Sequence, residues 1–234
     1  MTNSVAMITG ASRGIGAGLV SAFREAGYSV VATALSIPPS EDPHVLTVAG
    51  DLTDSRTADQ VVTQALARFG RVDTLINNAG IYIGKPFTDY TIEDYSAITA
   101  VNLAGFFHIT QRVLPSMVEQ GRGHIVNVST TLAEQADSSR PAALAALTKG
   151  GLVAAARSLA IEYASRGVRV NAVSLGVIKT QTDAGASYEP LAAVHPLGRV
   201  GEISDVVGGI LYLEQAPFVT GETLHIDGGQ VAGH

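Results

Sequence analysis

The chain reads Thr9-Gly10-Ala11-Ser12-Arg13-Gly14-Ile15-Gly16 between its first apolar run and a segment in which apolar residues recur at helical spacing. Glycines in such a turn let the backbone come close to a pyrophosphate, and the helix that follows presents free N–H groups and its positive dipole end to the anion. A glycine-rich turn that only lets a strand and a helix pack is the alternative, and the spacing alone does not exclude it. The placement between strand and helix favours a phosphate-binding turn.

Short β-branched runs alternate with longer segments of helical spacing along the whole chain. This alternation is typical of a parallel sheet covered by helices on both faces. We therefore predict an α/β fold, a single doubly wound domain over residues 1–234 with seven parallel strands. Residues 180–196, which follow the sixth strand, are expected to form a short lid. The predicted strands span residues 4–9, 28–33, 45–48, 73–77, 124–129, 168–174 and 223–226, and the predicted helices span residues 15–26, 55–69, 92–118, 142–164 and 203–213.

Composition excludes several classes of protein. The chain has 234 residues, of which 46% are hydrophobic and 15% charged, so it can fill a large core. Fifteen basic residues against 21 acidic ones give a net charge of −6 without blocks of like charge, and nucleic acid is not an expected partner. The absence of cysteine excludes disulfides and thiolate metal sites, and no metal is predicted. No apolar run approaches about 20 residues and no leader is recognised, so a cytoplasmic protein without a membrane partner is expected.

Two further signals lie at the carboxyl ends of predicted strands. Asn77-Asn78-Ala79-Gly80 follows the fourth strand, and Asp51 follows the third. Taken alone, the first of these is as consistent with a plain turn as with a site, because Asn and Gly both tolerate left-handed backbone. Ligands of open α/β sheets bind at the carboxyl ends of the strands, so both signals and the glycine turn are predicted to face one crevice.

Ordered motifs along the whole chain carry a resemblance to a known family. They are Gly10 to Gly16, Asp51, Asn77 to Gly80, Val101-Asn102-Leu103, Ile125 to Thr130, Lys149, Val170-Asn171, Gly176 to Thr180, His195 to Arg199, and Thr220-Gly221 to Asp227-Gly228-Gly229. In these motifs the sequence resembles the short-chain dehydrogenase/reductase family, and within it the β-ketoacyl-carrier-protein reductases. The resemblance implies a Rossmann-type fold, a nicotinamide cofactor, a small-molecule substrate, and a homo-oligomer, a tetramer or dimer, built on two long helices.

The same resemblance implies roles for individual residues. Asn102 takes the position of the asparagine that holds a proton-relay water, and Ser129 and Thr130 lie where a hydroxyl polarises the substrate carbonyl, although both also suit a strand end that bonds nearby backbone. Lys149 is expected to bond the ribose of the cofactor. The cofactor-binding residues implied are Gly10, Ser12, Arg13, Gly14, Ile15, Gly16, Ser36, Asp51, Leu52, Asn78, Ala79, Gly80, Lys149, Gly176, Ile178 and Thr180.

The choice between the two nicotinamide cofactors is an electrostatic question. A carboxylate at the end of the second strand would accept bonds from the ribose 2′-OH and repel a 2′-phosphate, but residues 32–36 read Ala-Thr-Ala-Leu-Ser without an acid. NADP(H) is therefore favoured over NAD(H). Arg13 is a candidate partner for the phosphate, with an arginine that only points at solvent as the alternative. Ser36 is a second candidate.

The catalytic pattern breaks at one position. The family's tyrosine, which delivers the proton to oxygen, is expected four residues before Lys149, where this chain has Ala145, and there is no tyrosine between Tyr95 and Tyr163. The sequence leaves three explanations open: another group delivers the proton, the pocket performs redox-neutral chemistry of a lyase or isomerase type, or the chain binds cofactor without turnover. The candidate substitute donors are Tyr82, Tyr188, His195, Glu134 and Asp137.

The leading interpretation is an NADP(H)-binding oxidoreductase that transfers hydride to or from a small carbonyl or alcohol by a non-standard proton path. The rival is a redox-neutral or catalytically silent relative that keeps the cofactor site. Residues 132–140 and 180–196 are expected to line the substrate pocket, and their side chains define no recognisable substrate.

Overall fold

The computed structural model describes residues 4–180 and 188–233. Seven strands form one sheet in the order β3-β2-β1-β4-β5-β6-β7, and every neighbouring pair is parallel. The strand order reverses between β1 and β4, which places the switch point of the doubly wound fold at the end of β1. The predicted fold class is confirmed. The strands are β1 Val5–Thr9, β2 Ser29–Ala34, β3 Val45–Ala49, β4 Thr74–Asn77, β5 Gly123–Thr130, β6 Val168–Leu175 and β7 Thr223–Ile226.

Helices cover both faces of the sheet because the strands are apolar on both sides. On one face α2, α4 and α5 pack against side chains such as Leu75 and Ile125, and on the other α1 and α7 pack against Ile8 and Val126. Alternate residues of one strand thus fill two separate cores, as a fully covered parallel sheet requires. The helices are α1 Gly14–Glu25, α2 Ser55–Phe69, α3 Ile92–Thr99, α4 Gly105–Glu119, α5 Ala143–Tyr163, α6 Glu189–Ala192 and α7 Ile203–Gln215.

The long helix predicted over residues 92–118 is interrupted. A π-helical segment, Ala100–Ala104, separates α3 from α4. Asn102 lies in this segment, where its Oδ1 accepts from the N–H of Ile81 at 2.9 Å and its Nδ2 donates to the carbonyl of Ile81 at 3.0 Å. The periodicity of apolar residues continues through the insertion, so the sequence pattern does not reveal it. π-Helical turns are frequent at functional sites, and this one fixes the residues that follow β4.

The expectation that no segment is long and apolar enough to cross a membrane fails at helix α5. By length and composition alone, Ala143–Arg166 meets that test. The helix packs against β5 and β6, and its own residues Val153, Ala156 and Ala160 are buried in the core. Its apolar character therefore has an explanation within the described fold.

A polar network holds the amino ends of the strands together. Glu214, near the end of α7, accepts hydrogen bonds from the hydroxyls of Thr74 at 2.8 Å and Tyr28 at 3.1 Å. Its other oxygen lies 2.6 Å from Nδ1 of His124, whose Nε2 is 3.1 Å from the amide nitrogen of Asn171. Burial, followed by the charge of Glu214, raises the pKa of Tyr28. These polar groups satisfy one another, as buried polar groups must.

Candidate active site

A cavity of about 650 Å³ opens at the carboxyl ends of the strands. Its walls include Leu52 beyond β3 and Ile178 beyond β6, with residues from the ends of β2, β1, β4 and β5 between them. Six neighbouring strands span about 24 Å, so the crevice is elongated across the sheet. The predicted site residues that line it are Gly10, Ser12, Arg13, Gly14, Ile15, Asp51, Leu52, Asn78, Ala79, Gly80, Ser129, Thr130, Lys149, Gly176, Ile178 and Thr180.

Three predicted site residues do not line this cavity: Gly16, Ser36 and Asn102. Gly16 is buried where α1 crosses β1, and Asn102 is buried behind the wall that Ile81 forms. Ser36 lies two residues beyond β2, past the exposed side chain of Leu35, which does line the cavity. Both polar atoms of the Asn102 amide bond the backbone of Ile81, so Asn102 holds the segment that follows β4.

The glycine turn is built for close approach of backbone to backbone. A Cβ on Gly10, which has φ +64°, would lie 2.9 Å from Cα of Ala79. A Cβ on Gly16 would lie 2.2 Å from the carbonyl oxygen of Gly10. The N-cap of α1 is Arg13, in extended conformation and without a side-chain cap for the first N–H groups. Uncapped N–H groups at a helix N-terminus that faces a cavity suit an anionic ligand such as a pyrophosphate.

Thr9 is a site residue that the sequence analysis missed. Its Oγ1 accepts from the N–H groups of Asn78 at 3.0 Å and Ala79 at 2.9 Å. In return the amide nitrogen of Asn78 donates to the carbonyl of Thr9 at 2.9 Å. These bonds join the turn after β1 to the turn after β4, so the amide nitrogen of Asn78 helps to position the loop. The signal available in the sequence was a hydroxyl at the last residue of an apolar strand.

Replacing Gly16 with alanine is expected to destabilise the chain, because the new Cβ meets a backbone oxygen that no side-chain rotation can move. Chemical denaturation should show a loss of about 2 kcal/mol or more. The matched control is Gly208→Ala in α7, where a Cβ meets nothing within 4 Å and the helical position gains up to about 1 kcal/mol. Equal stability of the two variants would contradict the packing role of Gly16.

Lys149 projects from α5 toward the end of β5. Its Nζ donates to the carbonyl of Val128 at 2.9 Å and lies 2.7 Å from the place that a Cβ on Gly80 would take. Burial lowers the pKa of Lys149 to about 8. No carboxylate contributes to this shift, so the ammonium is held by a neutral carbonyl in a partly desolvated position.

The two candidate hydroxyls have different surroundings. The hydroxyl of Ser129 donates to the carbonyl of Lys149 at 3.0 Å, so it ties β5 to α5. Thr130 ends β5, and its Oγ1 has one long contact with the N–H of Leu132 at 3.4 Å. The hydroxyl proton of Thr130 is therefore available to a ligand in the cavity, whereas the hydroxyl proton of Ser129 is used in the bond to Lys149.

Ala145 lies one helical turn before Lys149 and also lines the cavity. It is 2% exposed and belongs to a small apolar cluster with Ile98 and Leu144. The methyl group of Ala145 cannot donate or accept a proton.

The structure places most of the proposed substitute donors outside the cavity. His195 is buried elsewhere, since its Nδ1 is 2.9 Å from the carbonyl of Leu191 and its Nε2 accepts from the N–H of Val177 at 3.1 Å. A neutral ring with its proton on Nδ1 satisfies both bonds, so the hypothesis that His195 delivers a proton to the cavity is not supported by its position. Its ring instead packs beneath Gly176, where a Cβ would lie 2.7 Å from Nε2.

The two carboxylates are engaged as well. Glu134 accepts from the hydroxyl of Ser174 at 2.8 Å and contacts Nε2 of His225 at 2.9 Å. Hydrogen bonds from Ser139 and Arg140 lower the pKa of Asp137 to about 2, so this group holds no proton at neutral pH. Neither residue lines the cavity.

Tyr82 and Tyr188 differ in position. Tyr188 stacks near Lys179 in the segment before α6, and it is not a wall of the cavity. Tyr82 does line the cavity and is 57% exposed, and partial burial raises its pKa. Of the five proposed donors, Tyr82 is the one that the described residues bring to the cavity. The part of the expected lid at residues 181–187 lies outside the described residues.

The cavity end near β2 contains one cation and no acid from that strand. Leu35 is 76% exposed, and Arg13 lines the same end of the cavity. In the described part of the chain, the guanidinium of Arg13 has no hydrogen bond or ion pair to another side chain. Across residues 4–180 and 188–233, no group of three metal-ligating side chains is found.

Comparison with known proteins agrees with this architecture. The family described as enoyl-(acyl carrier protein) reductase matches residues 10–230. A 3-oxoacyl-[acyl-carrier-protein] reductase of Synechocystis is 33% identical, over 99% of this chain and 98% of that protein. The chain therefore belongs to the short-chain dehydrogenase/reductase family of oxidoreductases. Within that family, several relatives that it resembles bear the name 3-oxoacyl-[acyl-carrier-protein] reductase, including one from Escherichia coli at 31% identity over 96% of both chains.

Two solved structures bear on the cavity. A tyrosine-to-phenylalanine variant of ElxO with NADPH bound is 28% identical, covers 100% of both chains and superposes with a TM-score of 0.92. A 3-ketoacyl-(acyl-carrier-protein) reductase from Brucella melitensis in complex with NADH is 30% identical, covers 97% of this chain and 98% of that one, and has a TM-score of 0.90. Both cofactors thus occur among proteins of this shape.

Proposed function

We propose that this protein is an NADP(H)-dependent oxidoreductase that interconverts a small carbonyl compound and its alcohol. The observation that carries the proposal is the crevice across six strands, with an uncapped helix N-terminus near its middle and Lys149 on its wall. The glycine turn leaves no room for side chains between the N-terminus of α1 and the turn after β4. A dinucleotide fits these features, because its pyrophosphate needs free N–H groups and close backbone approach.

Several residues would hold the cofactor. The turn at 10–15 and the first N–H groups of α1 would hold the pyrophosphate, Asp51 and Leu52 lie at the end of the cavity near β3, and Lys149 lies at the end near β5. When bound, the nicotinamide supplies or accepts a hydride. The chain orients a substrate carbonyl with the hydroxyl of Thr130, and the segment that Asn102 clamps forms the adjoining wall.

The preference for NADP(H) rests on charge at the β2 end. Arg13 lines the cavity without a side-chain partner in the described chain, and Leu35 puts an apolar side chain where an acid would repel a phosphate. The ElxO variant bound to NADPH supports this choice. The Brucella reductase bound to NADH shows that the fold alone does not decide it.

Replacing Arg13 with glutamine is expected to weaken NADPH binding by roughly tenfold and to leave NADH binding unchanged, because a charge-assisted bond to the 2′-phosphate is lost. Fluorescence titration with each nucleotide measures both affinities. The companion variant Leu35→Asp should reverse the preference toward NADH, and Leu35→Asn, of the same shape without the charge, is its control. Equal affinity of the parent chain for both nucleotides would refute the proposed preference.

Location and assembly follow as part of the same proposal. We expect a cytoplasmic homo-oligomer, a tetramer or dimer, built on α4 and α5. Both helices expose large apolar side chains, with Phe107 at 54%, Leu147 at 60% and Ile161 at 80% exposure. Such side chains favour a protein interface. Light scattering of the purified chain measures its oligomeric state, and a monomer would contradict the proposed assembly.

A second candidate function is a redox-neutral or silent relative that binds the same cofactor. Ala145 favours it, because the family's position for the proton donor carries a methyl group. The two candidates separate on turnover: NADPH binding without consumption over a panel of aldehydes and ketones supports the second.

A further inference from the structure

The ionisable groups around Lys149 are few. Of the residues that line the same cavity, Arg13, Asp51 and Tyr82 are the others that ionise. Arg13 and Asp51 belong to the turns after β1 and β3, whereas Lys149 lies against the end of β5. The elements packed on Lys149 present the carbonyl of Val128, the glycine Gly80 and the amide of Asn102, all of them neutral.

The usual reason for burying a lysine is therefore missing. A buried ammonium is ordinarily paired with a carboxylate, or it loses its proton readily. Here burial brings the pKa of Lys149 to about 8, within one unit of neutral pH. A group with such a pKa exchanges its proton efficiently near neutrality.

Ala145, one helical turn before Lys149, lines the same cavity and presents only a methyl group there. Thr130, at the end of β5, lines the same cavity and retains a hydroxyl that can orient a carbonyl oxygen. A donor hydroxyl and an ammonium thus line one cavity, and the ammonium bonds the carbonyl of Val128, two residues before Thr130.

Resting on the proposed function, we infer that Lys149, which lines the same cavity as Thr130, is itself the proton donor to the substrate oxygen. In this step an N–H bond of the ammonium breaks, its electron pair stays on Nζ, and the proton forms an O–H bond with the reduced carbonyl oxygen. The neutral amine then takes a proton from water. The step moves no electrons between molecules, and in the alcohol-oxidising direction the neutral amine is the base.

The first test needs no turnover. Lys85, Lys149 and Lys179 are the lysines of the chain, so reductive methylation with ¹³C-formaldehyde gives three lysine dimethylamine resonances, besides that of the N-terminal amine, that NMR follows against pH. The resonance that disappears in Lys149→Met is expected to titrate near pH 8, well below those of the two other lysines. Titration of all three together above pH 10 would overturn the inference.

The second test separates this inference from the proposed function. NADPH affinity is measured first, by fluorescence, and failure to bind would refute the proposed function itself. In a chain that binds NADPH, carbonyl reduction at saturating cofactor should fall as pH rises through 8. The fall should persist in Tyr82→Phe, and activity should drop by roughly 10²-fold in Lys149→Arg, which keeps the positive charge but releases no proton.

Opposite results would overturn the inference while leaving cofactor binding in place. They are a rate independent of pH between 7 and 9.5, full activity in Lys149→Arg, or a pH dependence that vanishes in Tyr82→Phe, which would assign the proton to Tyr82. A chain that binds NADPH and reduces no carbonyl would instead refute the proposed oxidoreductase, and the inference with it.

Discussion

Replacing Ala145 with tyrosine is expected to raise the rate of NADPH-dependent carbonyl reduction by roughly 10²-fold. A positioned general acid contributes about 10² to 10⁴ in rate, and the lower figure applies because Lys149 already supplies a proton in the parent chain. The new phenol would lie one turn from the ammonium on α5, on a residue that already lines the cavity. The ammonium would lower the pKa of the phenol, so the fall in rate near pH 8 should become shallower.

The control for this substitution is Ala145→Phe, which adds the same ring without the hydroxyl. Both variants must retain NADPH affinity and the thermal stability of the parent, since Ala145 also contacts the apolar cluster around Ile98. A gain in Ala145→Tyr and none in Ala145→Phe supports the oxidoreductase. Absence of gain in a folded, NADPH-binding Ala145→Tyr chain would favour the redox-neutral or silent relative.

Replacing Lys149 with methionine is expected to stabilise the fold at neutral pH while weakening NADPH binding. Burial lowers the pKa of Lys149 from 10.5 to about 8. At about 1.4 kcal/mol per pKa unit, holding the charged side chain in the folded state lowers the free energy of unfolding by about 3 kcal/mol below pH 8. The side chain is only partly buried, and its removal leaves the carbonyl of Val128 without that donor. A net gain of about 1 to 2 kcal/mol is therefore expected in urea unfolding at pH 7.

The pH dependence of this gain has a definite sign. The folded chain loses the proton at a lower pH than the unfolded chain, so the unfolded state binds more protons between about pH 8 and 10.5, and the stability of the parent rises over that window. The difference between Lys149→Met and the parent should then be constant below pH 8 and shrink toward pH 10.5. Lys179→Met is a control for the loss of a lysine as such. A variant that is less stable than the parent at pH 7 would show that Lys149 supports the fold.

Much of the fold was predictable because short stretches of sequence determine where its helices and strands begin and end. The strand at residues 223–226 and the helix at residues 55–69 have the predicted bounds, since strong apolar periodicity ends there at polar or glycine residues. The π-helical segment was not predictable, because it shifts backbone hydrogen bonds without changing the spacing of apolar side chains.

The position of the site was predictable from the sequence, but the role of each residue in it was less so. The residues of the glycine turn, Asp51 and Lys149 meet at one cavity because parallel strands end at one edge. The roles of Thr9, Ser129 and His195 depend on partners far away in the chain, such as Asn78 for Thr9 and Val177 for His195. No local pattern shows which hydrogen bonds a hydroxyl or an imidazole will form.

The network around Glu214 has a consequence for how such a protein changes over time. Its members lie at the amino edge of the sheet, on the opposite side from Ala145 and Lys149. The hydrogen bonds that hold the amino ends of the strands together are therefore far from the residues that perform chemistry. Mutations at the carboxyl edge of the sheet leave those hydrogen bonds intact. A lineage built this way can exchange its proton-handling groups while keeping a foldable framework, which makes the chain a good starting point for installing new reactions.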